Sequence, residues 1–328
     1  MPERMTRSPE DIKSSVDAVK RELGKNIVGY EDQIEDFLIC LATKGHLLVE
    51  GVPGVAKTTL SKAFASACAL TYRRVQFTQD LLPADITGHF FYNQRTSEFE
   101  VRKGPLFADF VLADEINRAP PKTQSALLEA MQERQVTIEG NTFELPELFT
   151  VVATLNPIET EGVYPLPEAQ IDRFMIKSTM DYLDREHEVE MLHLKSEPEK
   201  KQEIVLSRKA IFEMISDVVK IFAHTSVMGY IEDIARATRE VEELDLGLSP
   251  RGAIHLLNAS RAHAYLHGRA YVIPDDVKAM AHKVVDHRLI MSPEAELSGV
   301  TRASMTDRIL SSVPVPKGEF GRDEGTKV

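Results

Sequence analysis

Eight consecutive residues, Gly51-Val52-Pro53-Gly54-Val55-Ala56-Lys57-Thr58, set two glycines, a lysine and a hydroxyl at the spacing of a phosphate-binding loop. Backbone N–H groups in such a turn can wrap phosphate oxygens, and the start of a following helix adds partial positive charge. Lys57 would reach the β- and γ-phosphates of ATP, the Thr58 hydroxyl would ligate Mg²⁺, and Thr59 would add to the nucleotide contacts. Ala56 stands where the strict motif has a third glycine. Its methyl group restricts positive φ, and a residue about to enter a helix is expected not to need it.

A second constellation lies downstream. Phe110-Val111-Leu112-Ala113-Asp114-Glu115 is an apolar run ending in two acids. On its own such a pair is an ordinary solvated loop feature. Behind a phosphate loop in the same layer, Asp114 is expected to hold Mg²⁺ through its water shell, and Glu115 can orient and partly deprotonate an attacking water. Asn156 ends another apolar run, Thr150 to Leu155, just before Pro157, a position where Asn commonly starts a turn.

These groups work only if the chain brings them together, and the hydrophobic pattern predicts elements that would. His46 to Glu50 reads as a buried strand leading into the glycine loop, and Lys57 to about Cys68 as the helix after it. Further strands are expected at Arg73–Phe77, Phe110–Ala113, Phe149–Ala153 and Phe174–Ser178. Strands alternating with helices predict a parallel, doubly wound sheet. Two hairpins interrupt it: Gln135–Ile138 with Thr142–Leu145 around a Gly140-Asn141 turn, and a weaker one from Phe90 to Val101.

Before this layer, Ser8, Pro9 and Asp11 start a helix that Gly24 ends. Beyond Leu183 the strands are expected to stop. Ser249-Pro250 opens one helix, and Pro274 another whose Val277, Met280, Ala281, Val284 and Val285 form one apolar stripe. The proline- and glycine-rich tail from Val313 to Val328 is expected to be flexible. At 328 residues the chain suits two domains. The expected division is an αβα domain over 1–181, a helical domain over 182–312, and the tail over 313–328.

Between Val75 and Arg173 the chain resembles the MoxR family of AAA+ ATPases. Two runs carry the likeness: Gln76-Phe77-Thr78-Gln79-Asp80-Leu81-Leu82-Pro83-Ala84-Asp85-Ile86-Thr87-Gly88, and the stretch from Ala113-Asp114-Glu115-Ile116-Asn117-Arg118 through Leu127-Leu128-Glu129-Ala130-Met131-Gln132-Glu133. Weaker similarity extends from about Ile27 to Pro316. The resemblance implies an α/β AAA+ nucleotide-binding domain with inserted hairpins, followed by a helical lid. It also implies an ATPase acting on ATP with Mg²⁺.

By the same resemblance Asn156 would sense the γ-phosphate. Arg173, in Leu166-Pro167-Glu168-Ala169-Gln170-Ile171-Asp172-Arg173, would be an arginine finger reaching a neighbouring subunit's nucleotide. Arg251 would be a second sensor on the lid. Ile27 and Val28 would pack against adenine, although a turn built on Gly29 explains that segment equally well. A finger in trans implies a ring, expected to be a hexamer. The family further implies a chaperone-like role on protein substrates, together with von Willebrand A-domain partners.

Composition bounds the remaining classes. The net charge of -12 argues against a nucleic-acid motor, although helicases of the MCM type share the two-hairpin plan. A switch or scaffold that binds ATP with little hydrolysis is the other rival, and the intact Asp114-Glu115 pair argues against it. Cys40 and Cys68 make neither a disulfide framework nor a zinc site, and no leader or membrane-length apolar run is apparent, so a cytoplasmic location is expected. His263 and His267, four apart on an expected helix, lack further apparent ligands for a metal.

Overall fold

The structure is a computed structural model that describes residues 5–158, 162–198 and 200–321. The elements run α1 (Pro9–Leu23), α2 (Glu31–Ala42), β1 (Leu47–Gly51), α3 (Lys57–Ala67), β2 (Tyr72–Gln76), α4 (Pro83–Thr87), β3 (Gly88–Asn93), β4 (Glu98–Lys103) and β5 (Phe110–Asp114). Next come α5 (Pro121–Glu133), β6 (Gln135–Ile138), β7 (Asn141–Glu144), β8 (Thr150–Leu155), α6 (Glu168–Ile171), β9 (Ile176–Met180) and α7 (Arg185–Ser196). The last part holds α8 (Arg208–Lys220), α9 (Thr225–Glu240), β10 (Leu244–Leu246), α10 (Pro250–Leu266), α11 (Pro274–Val285), β11 (Ile290–Met291), α12 (Pro293–Leu297) and α13 (Arg302–Ser312).

The chain divides into two compact units. One comprises Ala18–Phe174 and Ser178–Arg208; the other comprises Met1–Asp17, Met175–Lys177 and Lys209–Val328. This differs from the expected boundary near residue 181. The end of the segment before Lys209 is tied to this unit: Val205 and Leu206 donate backbone hydrogen bonds to Ala67 O at the end of α3, and Arg208 pairs with Asp109 just before β5. The first half of α1 goes to the helical unit, where Thr6 and Arg7 donate backbone N–H groups to the buried Asp217 carboxylate.

The sheet unit has strand order β2-β5-β8-β1-β9, with β2–β5, β5–β8 and β8–β1 parallel. Every residue of β5 is buried, as expected for a strand covered on both faces. Alternate side chains take opposite sides. Val111 and Ala113 join the cluster that holds Leu127, Leu128 and Met131 of α5. Phe110 turns the other way, to Phe37 of α2 and Phe64 of α3 at 5.9 and 5.7 Å between ring centroids.

Both inserted hairpins form, with adjusted turns. β6 and β7 pair Ile138 with Asn141, so the two-residue turn is Glu139-Gly140, not Gly140-Asn141. Both turn residues have positive φ, 48° and 85°, matching the strand twist that such a loop must follow. β3 and β4 join through residues 94–97, and Ser97 takes the left-handed conformation there.

The helical unit is not strand-free: β10 and β11 form a short antiparallel ladder. Ser249 caps α10 through Gly252 N at 3.0 Å, as its sequence predicts. On α11 the expected stripe is buried, and so is Asp276, whose carboxylate takes Arg269, His263 (2.6 Å) and Ile273 N (2.8 Å). His263 thereby has a structural partner. The start of the expected flexible tail has contacts, Phe320 lying 6.4 Å from the His224 ring; residues 322–328 lie outside the described residues. Among the described residues no helix is long and apolar enough to cross a membrane.

Candidate functional site

Parallel strands put all their C-terminal ends at one edge of the sheet, where open α/β sheets bind ligands. The register makes this concrete. Gln76 of β2 lies opposite Asp114 of β5, Ala113 opposite Ala153 of β8, and Glu50 of β1 opposite Leu155. The phosphate-loop sequence leaves β1 at the same edge, so four separate stretches of chain deliver polar groups to one place.

The loop from Gly51 to Thr58 turns through two left-handed residues, Gly54 at φ 89° and Ala56 at φ 59°. Here the expectation for Ala56 fails. The residue before α3 does need positive φ, because the chain must reverse before the helix can start. An L-residue with a Cβ in this region carries a cost of about 1 kcal/mol. Gly51 is required for another reason: a Cβ there would fall 2.3 Å from Met180 O. Val55 is buried and anchors the turn, while Pro53, Gly54 and Thr59 are exposed. Lys57 Nζ donates to the carbonyls of Gly51 and Val52, which keeps its charge folded over the loop.

Asp114 is nearly buried and heavily bonded. Its Oδ1 accepts from Thr154 Oγ1 at 2.6 Å; its Oδ2 accepts from Thr58 Oγ1 at 3.2 Å and from Arg74 Nε and Nη2 at 3.0 and 2.8 Å. The adjacent Glu115 takes φ 57°, ψ 52°, a strained conformation for a residue with a side chain. That kink sends its carboxylate away from Asp114, towards Gln76 Nε2 at 2.6 Å and Arg118 Nε at 3.1 Å. Thr154 ties the two acids together, since its hydroxyl also accepts from Glu115 N at 2.8 Å.

The Thr58 hydroxyl and the Asp114 carboxylate are hard oxygen donors that converge, and this donor set fits a small dication such as Mg²⁺. Lys57, Thr58, Asp114 and Glu115 are therefore brought together as the spacing predicted. Asn156 lies at the end of β8, buried, with its Oδ1 accepting from Ile158 N at 3.2 Å in the turn expected before Pro157. Thr154, Arg74 and Gln76 complete the network, and the sequence alone assigns none of them a role at the site. A threonine two residues before Asn156 is the available signal for the first.

The other expected residues have their own local surroundings. Arg173 follows α6 and lines a 270 Å³ cleft with Gln170 and with Ser125, Glu129, Gln132 and Glu133 of α5. Its Nε is buried without a hydrogen-bond partner among the described residues. Ile27 and Val28 are buried, and the next residue, Gly29, takes φ 73° with Leu183 Cδ2 2.8 Å from where a Cβ would stand. Arg251 sits exposed in the first turn of α10 in the helical unit.

Comparison with known proteins agrees with this architecture. Residues 46–176 match the model of the ATPase family associated with various cellular activities (AAA), and residues 236–309 match the AAA lid domain. The chaperone MoxR1 of Mycobacterium tuberculosis is 41% identical, over 97% of this chain and 88% of its own length. YeaC, a Bacillus subtilis protein of uncharacterized activity, is 44% identical over 94% of this chain and 97% of its own. A crystal structure from Cytophaga hutchinsonii, described as a candidate ATPase, superposes with a TM-score of 0.88 at 40% identity, covering 94% of this chain and 97% of that one.

Proposed function

Because the chain belongs to the MoxR family of AAA+ ATPases, we propose that it binds and hydrolyses Mg-ATP at the interfaces of a ring of its own copies, as a chaperone-like factor that remodels or matures protein complexes. The observation that carries the reading is the junction of three strand ends with the phosphate loop. There Asp114 touches Thr58, Thr154 bridges Asp114 and Glu115, and Gln76 grips Glu115.

In this reading the loop amides and Lys57 hold the phosphates, with Thr59 and the Ile27-Val28 segment completing the nucleotide contacts. Mg²⁺ would supply charge neutralisation at the phosphates when bound, and Thr58 and Asp114 are the residues that would hold it. Glu115 orients the attacking water and accepts its proton, and Gln76 and Arg118 fix where that carboxylate points. Asn156 contacts the γ-phosphate, and Arg251 reports on it from the lid. Arg173 acts in trans, where a finger contributes on the order of 10³–10⁵ in rate. The trans requirement makes the assembly a ring, with six copies the expected number. Von Willebrand A-domain proteins are the expected partners, on the strength of the family resemblance.

The test is Mg²⁺-dependent phosphate release from ATP, per subunit, across a range of protein concentrations, with Glu115→Gln and Arg173→Ala beside the unsubstituted chain. Specific activity that rises with concentration and is lost in both variants supports the reading. Tight ATP binding without any turnover at every concentration would move the protein to a nucleotide-dependent switch.

A further inference from the structure

The oxygen of Asp114 that faces Thr58 is the same oxygen that Arg74 grips. Oδ2 accepts from Thr58 Oγ1, from Arg74 Nε and from Arg74 Nη2, while Oδ1 is taken by Thr154. A carboxylate oxygen offers about two lone-pair directions, so Oδ2 is already fully engaged. A metal ion that reaches this atom, directly or through one of its waters, competes with the guanidinium for it, and the two positive groups also repel.

The burial of the pair fits such an exchange. Asp114 is 9% exposed at its side chain and needs a positive partner whichever group supplies it. Arg74 is 45% exposed, so a displaced guanidinium returns to water at little cost. Its release is also guided, because Nη2 donates to Gln76 Oε1 as well and keeps a second acceptor nearby.

We propose that Arg74 is a positioning residue for the metal site, a built-in counter-ion that occupies the Asp114 carboxylate until a divalent cation arrives with nucleotide and takes its place. The inference rests on the nucleotide-site reading above and adds a regulation of its metal dependence. Its consequence is thermodynamic. Arg74 supports metal-free nucleotide binding by neutralising Asp114 next to the phosphates, and it opposes metal-bound nucleotide by the cost of its own displacement. Linkage makes both effects visible in one number, the ratio of nucleotide affinity with Mg²⁺ to that without it.

The experiment is an equilibrium titration of the full chain with a fluorescent, non-hydrolysable ATP analogue, in excess Mg²⁺ and in EDTA, for the unsubstituted protein, Arg74→Gln and Arg74→Lys. The Mg²⁺-to-EDTA affinity ratio should rise about two- to fivefold in Arg74→Gln, the range expected for a partly exposed ion pair, and less in Arg74→Lys. Thermal melts establish that each variant is folded, and if the glutamine variant is not, the lysine variant carries the comparison. An unchanged or lower ratio in a folded variant overturns the proposal, because Arg74 would then be structural or supportive of metal. If the unsubstituted chain itself shows no Mg²⁺ dependence, the nucleotide-site reading fails first.

Discussion

One buried aspartate precedes β5 and another ends it, and the two make a controlled comparison. Asp109, just before the strand, accepts from Arg208 Nη1 at 2.6 Å, Thr71 Oγ1 at 2.6 Å and Thr71 N at 2.9 Å. Asp114, at the other end, has its own arginine and two threonines. Both arginines are 45% exposed and both carboxylates are below 10%. Burial and an arginine partner therefore do not separate a structural acid from the one proposed to hold a metal. Their surroundings do. Asp109 closes a ladder, its own N–H donating back to Thr71 Oγ1, and one of its donors is a backbone amide. Among the described residues the Asp114 carboxylate is held by side chains, one of them from the phosphate-loop helix, and it is followed by a strained glutamate.

The comparison predicts opposite outcomes for like substitutions. Asp114→Asn and Glu115→Gln should each lower ATP turnover by about 10²-fold or more while shifting the unfolding midpoint little, as steady-state rates and urea melts would show. Asp109→Asn should reverse the pattern. It should cost about 2 kcal/mol of stability through lost charge-assisted hydrogen bonds, with turnover per folded chain retained.

Acid should sharpen the difference. Burial disfavours the charged form of Asp109, but the Arg208 and Thr71 hydrogen bonds outweigh it and hold the carboxyl below its ordinary range. A depressed value means stability that is present above the unfolded value of about 3.9 and is lost as pH falls through the folded one. Stability measured from pH 5 downward should therefore fall less steeply in Asp109→Asn than in the unsubstituted chain.

Thr154→Val, which keeps shape but removes the hydroxyl joining Asp114 to Glu115 N, should cost about 1–3 kcal/mol, and turnover should fall with it. Ala56→Gly should have the smallest effect. Relief of left-handed strain, about 1 kcal/mol, is offset by the entropy of an added glycine, so a chemical melt should move by no more than about 0.5 kcal/mol.

How much of this was legible in the chain depends on pattern length. β1, β5 and β8 were readable because each is a short apolar run between turn signals, and the glycine-lysine loop because its residues are contiguous. Lys57, Thr58, Asp114 and Glu115 followed from that. Arg74, Gln76 and Thr154 did not, because the meaning of each comes from alignment across β2, β5 and β8. Asp109 was hidden likewise, since its partners lie 38 and 99 residues away. Ladders of two and three residues, as in β10 and β11, are too short to show a period. The left-handed Ala56 was missed because a helix start was taken to govern the residue before it.

The most direct test of hydrolysis at subunit interfaces is to mix two inactive chains, Glu115→Gln and Arg173→Ala, and measure ATP turnover of the mixture. One chain keeps the finger and the other keeps the base, so mixed interfaces should regain a fraction of the original rate that neither chain shows alone. A mixture that co-assembles yet stays inactive would contradict the account, and would place Arg173 outside the trans site.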